Sequence, residues 1–195
     1  MRFSDTAFTY RIMGIDNGSS SLGLAVADLD LRQGTYHLHY AKTFLAERLL
    51  DRHRGSGITH GARWARQNTL YDCVTDELIY HNPHAVAVET PFFMPRRVQS
   101  FETLTEMMIF IRLAVQAHYL TSDIYRVTPG EAKRAVQPAK FTMKKAVIKD
   151  CILSLDTITY NKDIQLDNLT EHEYDAIAVI VAHGEKIRKE TGFVK

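Results

Sequence analysis

A hydrophobic run that stops on a carboxylate, turns at once and comes back constrains this chain more than any other stretch. It reads Arg11-Ile12-Met13-Gly14-Ile15-Asp16, then Asn17-Gly18-Ser19-Ser20, then Ser21-Leu22-Gly23-Leu24-Ala25-Val26-Ala27-Asp28. The pattern predicts a β-hairpin: a buried strand that delivers Asp16 to its end, a turn at Asn17-Gly18, and a second strand from Leu22 to Asp28. Asn-Gly suits such a turn because both residues tolerate positive φ. A carboxylate where a buried strand stops is costly unless a cation neutralises it, and a metal ion, or a phosphate with its metal, is the usual remedy. The competing role for Asp16 is a plain turn cap, and the rest of the chain decides between the two.

After a polar turn at Asp30 to Gly34, the alternating stretch Tyr36 to Phe44 predicts a third antiparallel strand. Arg48 to Thr59 is polar and carries Gly55 and Gly57, which predicts an exposed loop. A helix is expected from His60 to Tyr80, with Trp64, Leu70, Tyr71, Val74, Leu78 and Ile79 on its apolar face, ending before Pro83. Ala85-Val86-Ala87-Val88 predicts a short strand buried on both faces, and it too ends on a carboxylate, Glu89. An irregular loop follows, then a long helix from Phe101 to Tyr119 that is apolar on more than one side. Asp123 to Val127 predicts another strand. Thr128-Pro129-Gly130-Glu131 has the cap and the proline of a helix start. That helix breaks near Pro138, a further one runs from Thr142 to Leu155, Tyr160 to Asn168 is a polar connection, and a last helix runs from Thr170 to Lys189.

Antiparallel hairpin strands followed by βα units predict an α/β fold of the ribonuclease H-like kind, a mixed five-stranded sheet flanked by helices. With 195 residues the chain has room for one well-filled domain, so residues 1–195 are expected to form one, with a core at about 11–188 and tails at 1–10 and 189–195. No apolar run reaches the roughly 20 residues of a membrane helix, and the first ten residues lack a signal-peptide layout. Cys73 and Cys151 are far apart in sequence and fit no metal spacing, which predicts two reduced buried thiols and a cytoplasmic location. The net charge of +1 does not advertise nucleic-acid binding, so that case rests on local patches. The clearest lies between Thr128 and Lys149, with Lys133, Arg134, Lys140, Lys144, Lys145 and Lys149 against Glu131 alone.

In such a sheet the first and fourth strands are neighbours, so Asp16 and Glu89 meet at one edge. Residues three apart on a helix share a face, so His172 and Asp175 of the last helix point together toward the sheet, with Glu171 on the same side. The segment from Thr170 to Glu173 also suits a plain helix cap. Three carboxylates and an imidazole make a hard, oxygen-rich site for Mg²⁺ or Mn²⁺. Two such ions roughly 3.5–4 Å apart can activate a water and steady the leaving oxygen in phosphodiester hydrolysis. Arg96 and Arg97 beside Phe92 and Phe93 combine basic and stacking groups, which suits splayed bases.

From Ile12 to His183 the chain also resembles the RuvC-type Holliday junction resolvases, as a phage or otherwise divergent member. Ile15-Asp16-Asn17-Gly18-Ser19 is similar to the first-strand motif of that family, with Asn17 where proline is commoner. Val86 to Phe92 resembles its second acidic strand, Thr128 to Val136 the opening of its basic helical region, and Asp175 to Val179 its last catalytic helix. The resemblance implies that Asp16, Glu89, His172 and Asp175 are catalytic residues and metal ligands, that Lys133 and Lys144 lie near the DNA backbone, and that Phe92 sits at the junction centre. It implies branched DNA, four-way junctions above all, as substrate, and DNA recombination and repair as the setting. Gln137-Pro138-Ala139-Lys140-Phe141 replaces the glycine-rich loop of the family.

The expected activity is metal-dependent endonuclease cleavage of junctions by paired nicks, with Lys140 and Lys145 adding to the DNA-binding face. Two symmetric nicks call for a homodimer, and the helix from Phe101 to Tyr119 offers its surface. Competing functions are a ribonuclease H-like nuclease on RNA or RNA–DNA hybrid and a catalytically inactive DNA-binding scaffold. Gly14 to Ser19 also resembles the first phosphate loop of actin-like ATPases, which need two such domains where this chain has room for one.

Overall fold

The hairpin forms: β1 (Thr9–Asp16) pairs antiparallel with β2 (Ser21–Asp30), and β3 (Tyr36–Leu45) continues the meander. The computed structural model describes residues 8–93, 95–119, 123–137 and 148–193, with the side chains of 51, 52, 54, 56 and 97 outside that description. The turn between β1 and β2 is not the one expected, since neither Asn17 nor Gly18 adopts positive φ. Glycine is needed at position 18 for a different reason: a Cβ there would lie 1.6 Å from the carbonyl oxygen of Ser21.

β4 (Ala85–Glu89) runs parallel beside β1, and β5 (Tyr125–Val127) parallel beside β4. β6 (Ile158–Tyr160) pairs with the start of β3, which makes the sheet six-stranded, in the order β5-β4-β1-β2-β3-β6. The expected count of five misses β6 because it is three residues long, half-exposed, and too short to show alternation.

Helices cover both faces. α1 (Ala46–Leu49), a 3₁₀ turn (Leu50–His53) and α2 (Arg54–His60) lead into α3 (Ala62–His81). The loop expected over Arg48 to Thr59 is therefore helical. Each interior glycine costs about 1 kcal/mol of helix propensity, but α2 packs on α3, with Gly57 opposite Ala65. Gly61, at a φ of 91°, makes the break between the two helices. A 3₁₀ turn (Pro95–Arg97) precedes α4 (Val98–His118), and α5 (Pro129–Val136), α6 (Ile148–Leu153) and α7 (Glu171–Glu190) complete the chain. The part of the expected 142–155 helix before Ile148 lies outside the described residues.

Period-two alternation sorts the core into two layers. Met13, Ile15, Val86 and Val88 pack with Leu70, Val74 and Leu78 of α3 and with Met107 and Ile111 of α4. Ile12, Ala25, Ala87 and Val127 pack with α5, α6 and Ala176, Ile177 and Ile180 of α7. Ile79, assigned to the apolar face of α3, instead faces solvent, while Trp64 and Tyr71 are half-buried. Both cysteines are buried, as expected, and neither is joined in a disulfide among the described residues. Among the described residues no helix is long and apolar enough to cross a membrane.

Candidate active site

The same alternation aims the acids. Ile12, Gly14 and Asp16 share the face of β1 turned to α7, and Ala85, Ala87 and Glu89 share that face of β4. β1 and β4 are in parallel register up to Ile15 opposite Val88, so Asp16 and Glu89 stand side by side one step further on. α7 comes down on this edge through two glycines. A Cβ on Gly14 would lie 2.3 Å from the Ala176 carbonyl oxygen, and one on Gly23 would lie 2.1 Å from that of His172. Any larger residue at either position would hold the helix off the sheet. Thr170 starts α7 with a capping box, its hydroxyl accepting from the Glu173 amide while the Glu173 carboxylate accepts from the Thr170 amide at 2.6 Å. The cap and the site thus coexist in one turn. Glu173 is spent on the cap, Glu171 is exposed, and His172 turns inward.

His172 Nδ1 donates to Asp16 Oδ2 at 2.6 Å, and His172 Nε2 lies 2.8 Å from Ser21 Oγ. The hydrogen bond to Asp16 raises the His172 pKa against the effect of burial. Burial pushes Glu89 up to about 8, helped by the charge of Asp16, a hydrogen bond with it, and the charge of Asp175, while Lys133 opposes. Burial and then Asp16 push Asp175 up to about 6, against Lys133 and His172. All four expected residues therefore meet at one sheet edge, and they form a cluster with too much negative charge.

That excess is the fit test for a cation. The donors are hard oxygens plus one imidazole, a set suited to Mg²⁺ or Mn²⁺, and the acids carry repulsion that a divalent ion would relieve. Among the described residues, however, no three of these side chains are already arranged to hold a metal ion, and one Asp16 oxygen is engaged by His172. The donor chemistry fits; ligation would require Asp16 and His172 to adjust.

Ser21 was not singled out in the sequence, although the hairpin register, with Asp16 opposite Gly23, leads to it. Asn17 was also unforeseen in its role. It is buried, and its Nδ2 donates to the Leu104 carbonyl at 2.9 Å, which ties the turn to α4. No local signal announces a contact across 87 residues.

Around the cluster, Phe92 is 71% exposed in the loop after β4, and Phe93, half-exposed, meets Phe101 edge to face at 5.4 Å. Arg96 is exposed, while the side chain of Arg97 lies outside the described residues. Lys133 is exposed on α5 and acts on both Glu89 and Asp175. Lys140, Lys144 and Lys145 lie outside the described residues. Lys149, counted in the basic patch, instead donates to the Asp167 carbonyl at 2.8 Å and braces the approach to α7.

The strand order, with α7 laid across its centre, defines the class: a ribonuclease H-like α/β fold in the arrangement of the junction resolvases. Among solved structures the chain is similar to T. thermophilus RuvC in complex with Holliday junction substrate, at a TM-score of 0.65 and 19% identity over 93% of this chain and 97% of that one. It is similar to the yeast mitochondrial Holliday junction resolvase Ydc2, at a TM-score of 0.57 and 13% identity over 94% and 80% of the two chains. The fowlpox virus resolvase with its substrate Holliday junction DNA gives a TM-score of 0.50 and 15% identity over 91% and 98%. At these identities the likeness is one of fold, and at that level it upholds the resemblance read from the sequence. No protein-family model and no curated protein matches the chain.

Proposed function

We propose that this chain is a divalent-cation-dependent endonuclease that resolves four-way DNA junctions by paired nicks. The observation that supports this best is the gathering of Asp16, Glu89, His172 and Asp175 at one edge of a sheet whose fold is shared, over nine-tenths of the chain, with junction resolvases. Asp16, Glu89, Asp175 and His172 would hold the metal, Mg²⁺ with Mn²⁺ as a substitute and two ions per site. Bound there, it would supply an activated water and neutralise charge on the leaving oxygen.

The protein's own groups have distinct tasks in this reading. Without a metal, His172 fixes the direction of the Asp16 carboxylate and is anchored in turn at Ser21, contacts that would be exchanged for ligation as the site fills. Burial and the neighbouring carboxylates raise Glu89 to about 8 and Asp175 to about 6, so a cation bound there would favour their ionised forms and displace the proton that Glu89 keeps at neutral pH. Lys133 lies within electrostatic range of both and offers a contact to the scissile strand. The exposed Phe92 ring offers a stacking face for an unpaired base at the branch, with Arg96 beside it. Arg97, Lys140, Lys144 and Lys145 are assigned to DNA binding from the sequence alone, since the Arg97 side chain and all three lysines lie outside the described residues. Ile109 and Leu113, half-exposed on α4, supply an apolar surface for a second copy of the chain, which places two sites on one junction.

The substrate test is a panel of end-labelled immobile four-way junction, linear duplex of the same sequence and RNA–DNA hybrid, each with Mg²⁺ or Mn²⁺. Symmetric nicks in the junction alone are expected. Cleavage confined to the hybrid would replace the substrate, and tight binding without cleavage under either metal would leave a scaffold.

A further inference from the structure

Further along α7 from the acid cluster, a cleft of about 350 Å³ opens between β5, α5 and α7. Arg126, Arg134, Lys186 and Lys189 line it, and the acids in its wall are Glu131 and Glu185. Glu131 is committed to the start of α5, where its carboxylate accepts from the Thr128 amide at 2.7 Å and from the Thr128 hydroxyl at 2.6 Å. Those bonds favour the ionised form of Glu131, so the lining sets four cations against two carboxylates and keeps a net positive charge. His183 also lines it, 3% exposed and with its ring 4.3 Å from that of Tyr125. Its Nε2 is buried and has no hydrogen-bond partner among the described residues. A buried polar atom left in that state costs about 1–3 kcal/mol, which His183 bears as a packed part of the cleft wall.

The cleft is joined to the acid cluster through α5. Lys133 acts on Glu89 and Asp175, and the next residue, Arg134, lines the cleft. Along α7, eleven residues separate His172 from His183, a rise of about 16 Å.

We propose that the cleft is a second DNA-phosphate subsite, gripping the backbone of the substrate at a point remote from the phosphate at the acid cluster. The proposal rests on the reading of the chain as a DNA-binding nuclease, and it assigns the cleft to a backbone phosphate, without base readout.

The test measures junction binding by fluorescence anisotropy without divalent cations, across a salt series, for wild type and the Arg134→Gln/Lys186→Gln double variant. Both substitutions fall on exposed side chains, and melting curves establish that the variant is folded. The slope of log K against log salt is expected to become shallower by about 1–2 in the variant, since each lost phosphate contact removes about 0.9. Neutral methylphosphonate linkages, placed one at a time along each strand away from the mapped nick, should at one or more positions weaken wild type and leave the variant unaffected. An unchanged slope, or equal weakening of both proteins by those linkages at every position, overturns the subsite. Inorganic phosphate alone is titrated while the His183 imidazole signals are followed by NMR. Saturable shifts there together with an unchanged DNA slope would assign the cleft to a small anion, also against the proposal. Wild type that binds DNA with the expected slope change yet never nicks junctions would overturn the proposed reaction and keep the subsite. Nicking with an unchanged slope would do the reverse.

Discussion

Glu89 is charged or neutral according to its neighbours. Its pKa of about 8 lies above the ordinary 4.5, so in the folded state it keeps a proton that the unfolded chain has lost. Stability attached to this group therefore falls as pH rises from about 4.5 to 8. Glu89→Gln is expected to melt higher than wild type at pH 8 by at least about 2–4 °C, the shift for 1 kcal/mol in a domain of this size. The gap should close toward pH 4.5; a gap that stays constant with pH would contradict the clustered-acid account. Added Mg²⁺ should raise the melting temperature of wild type at pH 8 and raise that of Glu89→Gln by less, read in the same thermal scan. Asp16 and Glu89 are legible in the sequence because each closes an uninterrupted apolar strand, and His172 and Asp175 because three residues bring helix neighbours to one face. Ser21 and Asn17 escape notice because their partners, His172 and Leu104, are distant in the chain.

At the scale of elements, the seating of α7 decides whether those residues meet. Gly14→Ala would drive a methyl into the Ala176 carbonyl, and overpacking of this kind costs about 1–3 kcal/mol. Because α7 carries His172 and Asp175, nicking should fall by more than tenfold. Thr170→Ala removes the capping hydroxyl, and with it the hydrogen bond to Thr43 of β3, at a cost of about 1 kcal/mol, but leaves the close approach of α7 to Gly14 and Gly23 in place. Denaturant melts paired with single-turnover nicking separate the two, and equal activity losses at equal stability would refute the role of Gly14. The caps at Thr128 and Thr170 are legible because each is a threonine three residues before a glutamate. α1 and α2 are not, because tertiary packing on α3 overrides the glycines and polar residues that argue locally for a loop. β6 is hidden by its length.

For the whole molecule, the sheet order places the acid cluster at the centre of one edge, between the loop bearing Phe92 and the helix bearing Lys133. That layout gives one site to each chain, and two nicks across a junction need two chains in fixed relation. Light scattering is expected to report a mass of two chains for wild type and of one chain, 22.3 kDa, for the Ile109→Glu/Leu113→Glu variant. A variant that stays dimeric would remove α4 from the interface. The fold class was legible from the order of strands and helices, since few topologies accommodate a hairpin meander followed by βα units. The proposed partner surface was legible only as surplus hydrophobicity on the helix from Phe101 to Tyr119, because self-association would leave no periodicity of its own.

The central claim is that the cluster around Asp16 is the reacting centre and does not serve only to bind DNA. The most direct measurement is strand-resolved single-turnover cleavage of an immobile four-way junction in Mg²⁺, wild type beside Asp16→Asn, with junction affinity measured on the same samples. The account predicts paired symmetric nicks for wild type, a loss of at least about a thousandfold in Asp16→Asn, about 4 kcal/mol of barrier, and junction affinity within a few-fold of wild type. Asp16→Asn that binds and nicks at the wild-type rate would contradict it.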